Sequence, residues 1–164
     1  MLKAMFLCCL SFVVYLDSPA QNTNKIQRAY AFYKVIMPGN IPVDENGKPL
    51  NSVENMERFI YIELTGSERP AIISVLYNEV AFGAVVTAVN GFAIHAGKKA
   101  ENGQDIQLTP KKGNRFWKVD LQLPNNAVMP KRDCRLIVIK GKAGYRPYKF
   151  YLYRETGLSA PDMY

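Results

Sequence analysis

Residues 115–123 read Arg-Phe-Trp-Lys-Val-Asp-Leu-Gln-Leu, and they contain the only tryptophan of the chain. Trp117, Val119, Leu121 and Leu123 share one parity, while Phe116, Lys118, Asp120 and Gln122 share the other. Side chains of a β-strand point alternately to opposite faces, so this spacing makes one apolar face and one mostly polar face. A helix would divide the same four apolar residues between two sides. The stretch therefore reads as a strand. Trp117 is expected inside, and Phe116 outside beside Lys118. Pro110 to Asn114 make the loop that leads in, and Pro124 ends the run.

The same period recurs along the chain. Residues 29–37 are rich in strand formers and stop at Pro38-Gly39. In 58–65, Ile60, Ile62 and Leu64 take one face and Phe59, Tyr61 and Glu63 the other. Residues 71–77 and 80–89 read as strands separated by Asn78-Glu79, and a short apolar run, Phe92-Ala93-Ile94, follows. Asn90-Gly91 carries the chemistry of a type I′ hairpin turn, and Asn102-Gly103 marks another turn before a short strand at 105–109. Residues 134–140 and 147–154 pair as a final hairpin across Gly141 to Arg146. Asn51 to Arg58 has the composition for one or two helical turns. Eight or nine short strands with regular turns predict an all-β fold. The expected form is an antiparallel two-sheet sandwich, immunoglobulin-like or related, with a small β-barrel as the alternative.

The first twenty residues have a different character. Lys3 precedes an apolar run from Met5 to Leu16 broken only by Ser11, and Ser18-Pro19-Ala20 places small residues at −3 and −1 before Gln21. This is the pattern of a cleavable secretory signal. The run is a dozen residues long, against about twenty needed to cross a membrane. The expected organisation is a signal at 1–20 and one β-sandwich domain at 21–164, with no transmembrane segment in the mature chain. Of three cysteines, only Cys134 lies beyond the signal, so no internal disulfide framework is expected. No Asn-x-Ser/Thr acceptor occurs in 21–164. The expected location is a bacterial periplasm, cell surface or medium.

Charge is divided unevenly. Residues 21–97 carry six Lys/Arg against seven Asp/Glu, whereas residues 98–154 carry fourteen against four. In 147–153, Tyr148, Phe150 and Leu152 share one parity and Lys149, Tyr151 and Tyr153 the other. With the first set inside, the second set stands outside as aromatic and cationic groups. Arg115, Phe116 and Lys118 offer the same combination. These six residues are the candidate ligand surface, suited to stacking on sugars while cations meet phosphates or carboxylates.

Catalytic constellations are missing. His95 is the single histidine, so multi-histidine metal sites are excluded, and no cysteine cluster replaces them. Cys134 shares parity with Leu136 and Val138, which predicts a buried, inert thiol. Gly66-Ser67-Glu68 and Leu158-Ser159-Ala160 lack the Gly-x-Ser-x-Gly nucleophile elbow. Asp44-Glu45-Asn46-Gly47 lacks the ligand register of a calcium loop and reads as a turn. Neither an enzyme nor a cofactor-binding protein is expected.

Ser18-Pro19-Ala20-Gln21 followed by a short β-rich domain resembles small exported proteins of Bacteroidota-type bacteria. The resemblance is one of layout, covers most of the mature chain, and implies no particular activity or site. The expected function is a non-enzymatic partner-binding or structural role in the cell envelope. The alternative is binding of anionic glycan, lipopolysaccharide or another polyanion through the basic C-terminal half. Export makes nucleic acid an unsuitable physiological partner.

Overall fold

The computed structural model describes residues 26–36, 44–46, 55–66, 68–123, 134–143 and 146–159. The expected signal at 1–20 and helical positions Asn51–Glu54 lie outside them. Ten strands follow in order: β1 (Ile26–Ile36), β2 (Asn55–Thr65), β3 (Ala71–Tyr77), β4 (Val80–Ala88), β5 (Ile94–Lys98), β6 (Asp105–Leu108), β7 (Asn114–Gln122), β8 (Ile137–Ala143), β9 (Arg146–Leu152) and β10 (Thr156–Leu158). Among the described residues there is no helix, and Asn55 to Arg58 begin a strand. Consequently no described helix is long and apolar enough to cross a membrane.

The fold is all-β. Eight strands form one mixed sheet in the order β10-β1-β2-β7-β4-β3-β8-β9, and β5 pairs with β6 in a separate hairpin. Among the described residues, only the β1–β10 pairing of this sheet is parallel. The large sheet curls so that Ile60, Ile62 and Trp117 from one half pack in the same cluster as Ile137, Ile139 and Phe150 from the other. A single curled sheet fits the small-barrel alternative better than two separate sheets.

Curling brings the two edges together. β9 and β10 are opposite edge strands of the sheet, yet only residues 153–155 join them. Four Cα steps from Leu152 to Thr156 span at most about 14 Å. β9 also touches β1 directly. The outer side of β10 is occupied in turn, because Ala100 N donates to Gly157 O and Ser159 N to Lys98 O.

β2 and the Phe116-Trp117 part of β7 are buried on both faces, which corrects the expectation for Phe116. Trp117 packs in the cluster inside the curl. Phe116 packs outside the curl with Phe32, Phe59, Tyr61, Ile94, Leu108 and Leu158. The β5–β6 hairpin and β10 form the cover: Ile94, Leu108 and Leu158 come from them. Phe116 is 3% exposed and Trp117 6%. Alternation assigned the two faces correctly, but it could not reveal that the second face has its own lid.

One turn assignment holds and another changes. The tight hairpin joins β3 to β4 through Asn78 (φ 43°) and Glu79 (φ 75°), with Tyr77 opposite Val80. Two positive φ values in a two-residue loop define the type I′ geometry that matches strand twist. Asn78 also anchors the start of β8: its Oδ1 accepts from the Arg135 and Leu136 N–H groups at 3.1 and 3.2 Å. Asn90-Gly91, by contrast, does not join a hairpin, because β4 pairs with β3 and β7 while β5 pairs with β6. The β8–β9 hairpin forms as expected, with Ala143 opposite Arg146.

Candidate functional site

β8 and β9 present the most coherent polar face. Their register places Ile137 opposite Leu152, Ile139 opposite Phe150 and Gly141 opposite Tyr148. These residues, apart from Gly141, pack into the inner cluster. The intervening pairs therefore face outward: Val138 with Tyr151 and Lys140 with Lys149, followed by Lys142. Gly141 is required there, since a Cβ would lie 2.5 Å from the Tyr148 ring and 2.7 Å from the Ala71 carbonyl oxygen. The close approach lets Tyr148 turn inward, and the outward row keeps its spacing.

β3 extends this face. Ser74 lies opposite Lys140 and Leu76 opposite Val138, while a register shift between Ile72 and Ser74 marks a bulge. The extra residue, Ile73, is 58% exposed beside the lysines. Tyr151 is 47% exposed, and Tyr153, just beyond β9, is 72% exposed. Among the described residues, Lys140, Lys142 and Lys149 form no ion pair. Like charges set directly across a strand pair repel, so the Lys140–Lys149 pairing costs stability and leaves both ammonium groups available.

The six candidate residues fall into separate places. Lys149, Tyr151 and Tyr153 stand outside together, as their parity indicates. β7 is separated from β9 by β4, β3 and β8, so Arg115, Phe116 and Lys118 do not join them. Phe116 is buried. Lys118 is half-buried, with its Nζ 2.6 Å from Asp120 Oδ1 and 4.9 Å from the centre of the Phe59 ring. Arg115 is exposed at the start of β7 and lines a groove with Phe92. Lys140, Lys142 and Ile73 are the additions. The lysines become legible once Ile137 and Ile139, rather than Leu136 and Val138, define the inner parity.

That change of phase also corrects the placement of Cys134. It precedes β8 and is half-buried against the inner cluster rather than being part of the strand's core face. Burial pushes its thiol up to about 11, reinforced by the Glu155 carboxylate, so the nucleophilic thiolate is disfavoured.

Two buried carboxylates hold the architecture. Glu155, in the link between β9 and β10, accepts from Arg58 Nε at 3.2 Å, and the two side chains are 3% and 1% exposed. Burial raises the Glu155 pKa, and Arg58 opposes that rise. The Arg58 guanidinium also lies 5.1 Å from the Tyr77 ring centre. The Tyr77 hydroxyl is near Glu155 without completing a hydrogen bond to it, and burial first, then the carboxylate charge, raises its pKa.

Glu63 sits on the outer face of β2, fully buried. It accepts from Arg28 Nε, from the Lys111 N–H at 2.8 Å and from Asn114 Nδ2 at 2.6 Å. Burial alone would raise its pKa, but these three donors outweigh burial and hold it below the ordinary value. Both carboxylates are committed to fold contacts. His95 is exposed on β5. Among the described residues, no group of three or more His, Cys, Asp or Glu side chains is placed to hold a metal ion.

No protein family, curated protein or solved structure matches the chain. What the site can do therefore follows from its own chemistry. Lysine ammonium groups donate to phosphate, sulfate or carboxylate, and exposed tyrosines stack on sugar rings or cover an apolar partner surface.

Proposed function

We propose that this chain is an exported, non-enzymatic domain of the bacterial cell envelope, working by binding a partner or by a structural role. The outer face of β3, β8 and β9 is its contact surface. The observation that carries this reading is the Lys140–Lys149 cross-strand pair beside exposed Ile73 and Tyr151. Apolar and aromatic side chains supply contact area there, and lysines that form no ion pair among the described residues supply orientation.

A second reading, an anionic glycan, lipopolysaccharide or other polyanion as the partner, is favoured by the same two lysines. Displaced counterions drive such binding, so its affinity falls steeply with salt. Heparin and lipopolysaccharide binding measured at several ionic strengths tests this. Lys140→Ala with Lys149→Ala should weaken binding and reduce the magnitude of the log–log salt slope by about two. Absence of binding at low salt returns the face to a protein partner or a structural role.

A further inference from the structure

A different surface lies at one end of the curled sheet. β1 begins there, and the β2–β3, β4–β5 and β6–β7 connections meet there, because Ile26 pairs with Leu64 and Thr65 with Asn114. Phe92, in the β4–β5 connection, is 95% exposed, the largest value among the exposed large hydrophobic residues described. It lines an open groove of about 290 Å³ with Val89, Pro110 and Arg115. Lys111, Lys112 and Arg115, in and after the β6–β7 turn, are exposed and form no ion pair among the described residues.

The turn that carries these cations is rigidly placed. Asn114 N donates to Lys111 O at 2.9 Å, and buried Glu63 accepts from both the Lys111 N–H and the Asn114 side chain. Gly113, at φ +83°, completes the turn. The same end thus carries a projecting aromatic ring, Arg115 in the groove beside it, and Lys111 and Lys112 on the adjoining turn. No other large apolar side chain among the described residues shares its degree of exposure.

We propose that this end docks on an anionic lipid surface. Phe92 enters the boundary between headgroups and acyl chains, while Lys111, Lys112 and Arg115 meet lipid phosphates. The charge complementarity fits that occupant, since cations close to such a surface attract it and an aromatic ring favours the interface. Docking here leaves the lysine and tyrosine face of β8 and β9 on the side of the sheet, free for its own partner.

Phe92→Trp tests the geometry. The variant and the wild type, which has only Trp117, are mixed with phosphatidylcholine vesicles with and without 30% phosphatidylglycerol, chosen for roughly physiological surface charge. Part of each lipid set carries bromine in the upper acyl chain. Quenching beyond the wild-type level is expected with the anionic vesicles and is local to position 92. Replacing Lys111, Lys112 and Arg115 with Ala should lower affinity about a hundredfold at low salt, and Phe92→Ala about tenfold. No extra quenching with the anionic vesicles overturns the proposal. So does heparin binding that depends on the same residues while vesicles show none.

Discussion

Phe116 and Trp117 are neighbours in β7 that fill two different cores, one beneath the β5–β6 hairpin and one inside the curl. Each ring is nearly inaccessible to solvent. Phe116→Ala and Trp117→Ala should therefore each cost about 3–5 kcal/mol, from lost burial and from the cavity left behind. Urea melts of both variants measure this. A Phe116→Ala variant within about 1 kcal/mol of wild type would mean that the hairpin lid does not pack against the sheet.

Glu63 makes a prediction about acid. Its folded pKa is depressed from the ordinary 4.5, so its contribution is present above that value and is lost as pH falls through the folded pKa. Glu63→Gln should be strongly destabilising near pH 7. The gap from wild type should close progressively below about pH 4.5. Denaturant midpoints from pH 7 to pH 3 test the sign. A gap that stays constant with pH would show that Glu63 is not ionised in the fold.

Cys134 should be slow to react. With its thiol pushed up to about 11, labelling by a disulfide reagent at pH 8 should run about a hundredfold or more below an ordinary thiol. Denaturant should restore the normal rate. Rapid labelling of the native protein would place the sulfur in an open, cation-stabilised position.

Much of the sheet was legible because half-buried strands carry their own period. Ile60, Ile62 and Leu64 mark β2, and Trp117, Val119 and Leu121 mark β7, without help from any other part of the chain. The second core was harder to see. Phe59, Tyr61 and Phe116 put aromatics on the face expected to be wet, which signals a covered sheet, but the cover comes from β5, β6 and β10. Asn90-Gly91 has the stronger local turn preference. The type I′ turn instead forms at Asn78-Glu79, where backbone N–H groups from Arg135 and Leu136 hold the asparagine. For the candidate surface, Lys149 and Tyr151 follow from parity within β9. The absence of Phe116 from that surface, and the distance from β7 to β9, depend on strand order, which local sequence does not encode. Nor does anything in the local sequence link Arg58 to Glu155.

That last contact makes completion of the fold depend on a link far along the chain from β2. Arg58 is synthesised early, whereas its carboxylate partner lies in the short link that joins the two sheet edges. Without that link Arg58 loses the buried carboxylate that accepts from its Nε. The β2–β7 pairing and β1–β10 pairing likewise join distant segments, whose loop-closure entropy must be met before their contacts form. A chain cut before β10 should therefore leave β1 as the edge of the sheet and the outer core without Leu158.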